Sequence, residues 1–237
     1  MSESEDREGA IEGLREAAHE IRRPLGVSLG YLAMLLEGQL GPLSDAQRRV
    51  VLQIHGKVTE AHRQLEQQVL LGRLEAGSMV PALRRLDLVG EVEMALGRGQ
   101  AAAELGGATI TFNRPRDPIY AIADGALLAR ILDNILENAL ASARGVPRVV
   151  VEAGVADSPF VRMCDEGIGV DPRFREQIFA RGFRADTNRP GSGLGLYLSR
   201  QAAEHIGASL RLEWSQPGQG SCFRLDLSTF PPSPDRT

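Results

Sequence analysis

A histidine and a glutamate, His19 and Glu20, are adjacent near the start of a long amphipathic stretch. Neutral imidazole is a nucleophile, and a neighbouring carboxylate can accept the proton on the other ring nitrogen. A stripe of residues at steps of three and four, apolar except for Ser28, predicts a helix packed against other helices; its members are Ile11, Leu14, Ala18, Ile21, Leu25, Ser28, Leu32 and Leu35. His19 falls beside this stripe, on a charged face that another molecule can reach. Alone, such a histidine is most often an ordinary surface residue.

Two asparagines, Asn134 and Asn138, are four residues apart in a second amphipathic stretch. On a helix this spacing places both side chains on one face. Neutral carbonyl oxygens there suit a hard cation such as Mg²⁺, which keeps most of its waters and bridges phosphates. Taken alone, the pair is more often two amides on a helix surface.

An acidic turn directly follows a strand-like apolar run, with Asp165 at its start and Gly167 and Gly169 after it. A carboxylate at the end of a strand can accept a hydrogen bond from the exocyclic amine of adenine. Glycines let the backbone come close to a flat ring. Without other signals the segment could equally be a simple turn.

A loop containing Arg184 is followed by alternating glycines, Gly191, Gly193 and Gly195, with Leu194 between the last two. Guanidinium groups bind phosphate, and glycines at a helix N-terminus offer free N–H groups and the positive end of the helix dipole. The glycines follow a helix and a loop, whereas a dinucleotide-binding fingerprint requires a preceding strand. This segment by itself is therefore weak evidence.

Taken in this order, the four segments closely resemble the N, G1, F and G2 boxes of one ATP-binding domain. That domain is shared by histidine kinases, gyrases, Hsp90-type chaperones and mismatch-repair ATPases. Residues 19–25, His-Glu-Ile-Arg-Arg-Pro-Leu, resemble the phosphoacceptor box of two-component sensor histidine kinases. The likeness covers about residues 10–228, so the chain resembles a histidine protein kinase core.

The resemblance implies a protein kinase that uses ATP and Mg²⁺ to phosphorylate His19. Glu20 would orient and activate the imidazole ring. The phosphoryl group would then pass to an aspartate in the receiver domain of a response regulator. The expected function is thus histidine kinase activity in two-component signal transduction.

The resemblance also assigns the nucleotide site residue by residue. Asn138 would bind Mg²⁺ with help from Asn134, and Asp165 would bind adenine, with Gly167 and Gly169 giving it room. The phosphates would be held under a lid at residues 181–190, by Arg184, Gly191, Gly193, Leu194 and Gly195.

Two positions depart from the family pattern. Ala141 stands where such proteins usually carry a lysine, and Arg144 is expected to supply the cation instead. This fits a chain in which Lys57 is the only lysine. Arg23 stands where a threonine or asparagine is usual, which predicts a kinase with weak phosphatase activity.

Two domains and an α+β fold are expected. Residues 1–77 would form an antiparallel helical hairpin, with a frayed start at 1–8, a first helix over about 9–37 and Ser44 or Asp45 capping the second. Because two helices with one apolar stripe each cannot close a core, a homodimeric four-helix bundle is predicted. Residues 78–237 would form an α/β two-layer sandwich that binds ATP.

Composition narrows the function classes further. A formal net charge of -4 over 237 residues offers no electrostatic footprint for nucleic acid. The sequence contains no apolar run long enough to span a membrane and no signal peptide, so a cytoplasmic location is expected. Reduced thiols are therefore predicted for Cys164 and Cys222.

Two alternatives remain open at this stage. One is an ATP-driven clamp of the same nucleotide-binding superfamily, and the other is a dimeric phosphotransfer or scaffold protein that binds nucleotide without using it. Acid-labile phosphate on the protein after addition of ATP would separate the kinase from both. Because so few residues precede His19, we expect either that the chain is a fragment or that the signal arrives through a separate upstream sensor protein that docks on the helices.

Overall fold

The computed structural model describes residues 2–142, 148–185 and 192–229. The chain divides into two compact units, Met1–Met79 and Val80–Thr237. Among the described residues, no helix has the length and apolar character needed to cross a membrane.

The first unit is a pair of antiparallel helices, α1 (Ser2–Leu36) and α2 (Asp45–Glu75). Arg22 and Glu66 form an ion pair across the two helices at 2.5 Å, and the Arg48 guanidinium donates to the Leu36 carbonyl at the end of α1. Helix α1 begins at Ser2, so the prediction of a frayed start is wrong.

Ser44 is the residue that caps α2. Its hydroxyl accepts from the backbone N–H of Gln47, and the Gln47 side chain accepts from the Ser44 backbone N–H in return. This capping box satisfies N–H groups that the first turn of a helix leaves without partners.

The apolar stripe of the hairpin is largely open within one chain. Ile21 is 49% exposed and Ile54 is 47% exposed. An apolar groove of about 340 Å³ runs along this side, lined by Leu25, Gln53, Ile54, Lys57, Val58 and Ala61.

The second unit combines three helices with seven strands among the described residues. The helices are α3 (Leu88–Leu105), α4 (Gly125–Ser142) and α5 (Gly195–His205). The strands are β1 (Arg84–Asp87), β2 (Thr109–Asn113), β3 (Tyr120–Ala123), β4 (Arg148–Val155), β5 (Pro159–Asp165), β6 (Ser209–Gln216) and β7 (Gly220–Asp226).

Five strands form the main sheet in the order β2-β4-β5-β7-β6, in which only β2 and β4 run parallel. Helices α3, α4 and α5 pack on one face of this sheet. Helix α4 contributes much of the core between the layers, through Leu127, Leu128, Ile131, Leu132, Ile135 and Leu136. The chain therefore has the α+β fold, with a helical hairpin followed by a two-layer sandwich.

Strands β1 and β3 pair with each other in a separate two-stranded sheet. Residues 172–179 form two 3₁₀ turns, Pro172–Phe174 and Gln177–Phe179, and no α-helix. A segment this short gains too few hydrogen bonds to offset the cost of nucleating an α-helix.

Cys164 and Cys222 are joined by a disulfide, with their Cα atoms 4.0 Å apart. The expectation of two reduced thiols is therefore wrong for this structure. The two cysteines are 58 residues apart in sequence, and only the antiparallel register of β5 and β7 makes them direct neighbours.

Replacing Ser44 with Ala is expected to lower the free energy of unfolding of the hairpin by about 1 kcal/mol, because the cap on Gln47 is lost. Denaturant unfolding followed by helical circular dichroism measures this change. Ser28→Ala is the matched control, because Ser28 is exposed inside α1 and its hydroxyl bonds only the Pro24 carbonyl. Alanine has the higher helix propensity, so this control should not destabilise the hairpin. Equal losses in both variants would contradict the capping role.

Candidate functional site

Asp165 ends strand β5 with its carboxylate turned into the molecule, and the residue is 4% exposed. Its Oδ1 atom accepts from the Gly167 backbone N–H at 2.8 Å and lies 2.8 Å from the Ser142 hydroxyl at the end of α4. The other oxygen, Oδ2, is buried and makes no hydrogen bond with any described residue. The carboxylate is thus held at one oxygen and free to accept at the other.

Burial raises the pKa of Asp165 above its ordinary value, because the low-dielectric interior disfavours the charge. The Ser142 hydroxyl and the backbone N–H groups of Gly167 and Ser221 oppose this rise in pKa. A buried acceptor that lacks a partner is costly to keep. Such an atom is the feature expected where a ligand with an N–H donor completes the hydrogen bonding.

Glycines give the Asp165 turn its shape. A Cβ atom on Gly167 would lie 2.3 Å from the Ser142 Oγ atom and 2.6 Å from the Asp165 Oδ1 atom. Gly169 has φ +67, and a Cβ there would lie 2.0 Å from the Gln216 carbonyl oxygen. A side chain at Gly167 would displace the groups that hold the carboxylate, and one at Gly169 would displace the backbone at the end of β6.

Asn134 and Asn138 lie on one face of α4 but have different environments. The buried Asn134 donates from Nδ2 to the Gly195 carbonyl at 3.3 Å and to the Ser199 hydroxyl at 3.1 Å. It therefore ties α4 to the first turn of α5. Asn138 is half-buried and makes no hydrogen bond with the described residues, so its amide oxygen is available to a ligand.

The N-terminus of α5 is built around Gly193 and Leu194. Gly193 has φ +69, and a Cβ atom there would lie 2.7 Å from the Gly182 carbonyl carbon. The backbone N–H of the buried Leu194 donates to the Ser192 hydroxyl at 3.3 Å. The glycine thus allows the loop before α5 to lie directly against the loop at Gly182.

Helix α4 connects these parts. Asn134, Asn138 and Ser142 follow one another at intervals of four residues, so they share a face. Asn134 contacts α5 and Ser142 contacts Asp165, and the two are about 12 Å apart along the helix axis. The half-buried Asn138 lies midway between them.

Several predicted residues are only partly described or lie outside the described residues. Gly191, Arg144 and residues 186–190 are outside them, as is the side chain of His19, whose backbone is in α1. Glu20 is exposed on α1, and Arg184 is half-buried after the second 3₁₀ turn.

Sequence reasoning missed two residues of this region, Ser142 and Ser199. Ser199 is four residues after Gly195, so helical spacing could have indicated that it shares a face with the glycine. Ser142 is four residues after Asn138, so the same spacing places it on the face of the two asparagines. Its contact with Asp165 could not be predicted, because it depends on how α4 packs on the sheet.

Known proteins resemble this chain in sequence and in fold. Residues 123–231 match the family model described as "Histidine kinase-, DNA gyrase B-, and HSP90-like ATPase". The chain is 32% identical over 218 residues to the sensor histidine kinase MtrB of Mycobacterium leprae, covering 90% of this chain and 38% of that protein. It is 30% identical over 222 residues to the sensor-like histidine kinase SenX3 of Mycolicibacterium smegmatis, covering 90% of this chain and 56% of that protein.

Among solved structures, full-length ShkA in complex with AMPPNP matches with a TM-score of 0.69 and 24% identity. The match covers 93% of this chain and 47% of that one. At this identity the likeness bears on the fold alone.

The second unit thus contains an ATPase-family domain of the histidine kinase, gyrase B and HSP90 type. In sequence the chain is similar to the sensor histidine kinases MtrB and SenX3, and its fold is that of the solved histidine kinase ShkA. It spans 38% of MtrB and 56% of SenX3, the relatives named above.

The pH dependence of stability is expected to report the buried Asp165 carboxylate. Because its pKa is raised above 3.8 in the folded chain, the folded state binds the proton more tightly than the unfolded state. Stability from this group is therefore present at low pH and is lost as pH rises through the folded pKa. We expect the free energy of unfolding of the wild type to rise relative to that of Asp165→Asn as pH falls from about 7 to about 4. Urea unfolding measures this difference at each pH.

Asp171→Asn is the control for this measurement. Arg173 lowers the pKa of Asp171 to about 2, so its contribution to stability is lost only as pH falls below the ordinary value of 3.8. Its difference from wild type should stay constant from about pH 7 to about pH 5. If the difference in the free energy of unfolding between wild type and Asp165→Asn also stays constant with pH, the pKa of Asp165 is not raised.

Proposed function

We propose that this chain acts as an ATP-dependent protein-histidine kinase in two-component signalling. The observation that carries the proposal is the shared face of α4. Along it, a half-buried Asn138 with a free amide lies between the Asp165 carboxylate and the N-terminus of α5. One continuous surface thus offers an acceptor for a base, an oxygen ligand for a cation and helix N–H groups for phosphates.

ATP fits the groups on this surface. The buried Oδ2 of Asp165 lacks a donor, and the exocyclic amine of adenine would supply one. Gly193 and Gly195 keep the α5 N-terminus open to phosphates, with Arg184 nearby in sequence. The fold match to ShkA, a protein solved with AMPPNP, agrees with this assignment.

Asn138, with Asn134 behind it, would hold Mg²⁺ against the phosphates. The ion would supply charge neutralisation at the phosphoryl oxygens during transfer. Asn134 cannot turn its amide nitrogen freely, because it donates to Gly195 and Ser199. Asn138 makes no hydrogen bond with the described residues, so it is the residue that we assign as the metal ligand.

His19 would receive the phosphoryl group. One imidazole nitrogen attacks the terminal phosphorus of ATP, a new N–P bond forms, the bond to the ADP oxygen breaks, and ADP leaves. Glu20, exposed beside it on α1, would accept the proton on the other nitrogen and so orient the ring. The phosphoryl group would then pass to an aspartate of a receiver domain.

These assignments also set the partners and the compartment. We place the chain in the cytoplasm, where ATP and receiver domains meet, and the signal would arrive from an upstream segment or a separate sensor protein.

Arg23 is exposed one helical turn after His19. As a donor-only group it would favour transfer over water-mediated removal of phosphate from the regulator.

Replacing His19 with Gln is expected to abolish phosphorylation of the protein by ATP, because the nucleophile is lost. Incubation with labelled ATP and Mg²⁺ should give acid-labile, alkali-stable label on the wild type. Asn138→Asp should reduce labelling severely, because it adds negative charge beside the phosphates.

His55→Gln is the matched control, because His55 is a half-buried histidine on α2 with no proposed role. This variant should keep wild-type labelling. Label that survives in His19→Gln would contradict the assignment of the acceptor. ATP binding without labelling of the wild type would instead support a scaffold protein, and turnover of ATP without labelling would support an ATP-driven clamp.

We also propose that the first unit forms a homodimer through the groove on α1 and α2. Ile21 and Ile54 are each about half exposed beside it, which is costly for aliphatic side chains in water. The apolar lining extends over both helices, as expected for two hairpins that share one four-helix core. A second copy covers the groove with its own identical surface.

Val58→Asp should dissociate this dimer, because an unpaired buried charge costs several kcal/mol. Thr59→Asp is the control, since Thr59 has nearly the same shape and is exposed, but does not line the groove. Light scattering at micromolar concentration should give twice the monomer mass of 25.6 kDa for wild type and Thr59→Asp. A monomeric wild type would contradict the dimer.

A further inference from the structure

The cysteine pair lies on the face of the main sheet that the helices leave uncovered. The strand registers place five residues in one row across this face, Thr111, Val150, Cys164, Cys222 and Trp214. Val150 is 39% exposed and Trp214 is 42% exposed at the two sides of the pair. Cys164 is half-buried and Cys222 is buried, so Cys164 is the more accessible residue of the pair.

The next row of the same two strands contains Asp165. Asp165 follows Cys164 on β5, and its partner Ser221 precedes Cys222 on β7. The backbones are very close here, because a Cβ atom on Gly220 would lie 1.8 Å from the Asp165 carbonyl oxygen. A covalent bond in the cysteine row therefore limits how far β7 can move from the residue that we assign to adenine.

We propose that Cys164 and Cys222 form a reversible thiol–disulfide site that exchanges with low-molecular-weight thiols and whose oxidised form strengthens nucleotide binding. The effect on nucleotide rests on the proposed function, whereas the exchange itself does not. The coupling path is short, since each cysteine is joined by one peptide bond to a member of the Asp165–Ser221 pair.

The exchange consumes two equivalents of small thiol. The first, as thiolate, attacks Sγ of the accessible Cys164, forming a mixed disulfide and releasing Cys222 as a thiolate that takes up a proton. The second attacks the mixed disulfide, releasing Cys164 as a thiol and the small-molecule disulfide. Two electrons and two protons thus pass to the protein. The reverse reaction uses the small-molecule disulfide as oxidant.

The first test asks whether the site exchanges in the folded chain. The wild type is equilibrated with reduced or oxidised glutathione, and free thiols are alkylated and counted by intact mass. Because the chain has two cysteines and one tryptophan, every alkylated thiol belongs to this pair. Trp214 fluorescence then follows whether the neighbouring cysteines are reduced or joined. We expect two alkylations and brighter emission after reduction, both reversed by oxidation. Thiols that stay unreactive, or remain reduced under oxidised glutathione, would overturn the proposal.

The second test asks whether the pair is coupled to Asp165. Oxidised wild type is expected to bind ATP at least about fivefold more tightly than reduced wild type, at the lower end of typical coupling between sites. Amide hydrogen exchange over residues 165–170 should be slower in the oxidised form. The double variant Cys164→Ser/Cys222→Ser is the control, and glutathione should change neither its affinity nor its exchange.

The outcomes separate the two proposals. If neither form binds ATP but exchange at residues 165–170 follows the thiol state, the proposed function fails and the coupling to Asp165 stands. If both forms bind ATP equally and exchange is unchanged, the coupling is overturned and the kinase assignment stands.

Discussion

The hydrogen bond from the Gly167 backbone to Asp165 is the contact on which the geometry of the site depends. It turns the chain at the end of β5 and fixes Oδ1, so that Oδ2 alone is left to accept from elsewhere. The Ser142 hydroxyl reinforces the same oxygen from α4. Without this arrangement the carboxylate could satisfy both oxygens locally and would have none to offer a ligand.

The buried carboxylate also lowers the stability of the folded state. A charge in a low-dielectric interior raises the free energy of the folded state, which is the reason for the raised pKa of Asp165. Neighbouring N–H and hydroxyl groups recover only part of this cost. The apolar layer formed by Leu128, Ile131 and Ile135 provides a rigid support that tolerates it.

Local features were largely predictable from the sequence, whereas long-range neighbours were not. Ser44 was one of two candidate caps, and its reciprocal bonds with Gln47 confirm it. The cysteine pair escaped prediction because its proximity depends on the order of strands in the sheet. For the candidate site, spacing predicted that Asn134 and Asn138 share a face. Spacing could not reveal that Asn134 donates to α5 whereas Asn138 makes no hydrogen bond with the described residues, because that difference arises from packing.

The contacts of the second unit join distant parts of the chain, and this affects the order in which a newly made protein can assemble. The bond from Asn134 to Gly195 spans 61 residues, and strand β7, which pairs with β5, follows all the other described strands in sequence. Hairpin α1–α2 can close before the second unit, because its contacts are local and it leaves the ribosome ahead of that unit. The Asp165 turn, in contrast, acquires its β7 neighbours only after residues 220–226 have been made. A chain interrupted before Gly220 therefore contains every residue assigned to the nucleotide but lacks the strand that pairs with β5 beside Asp165.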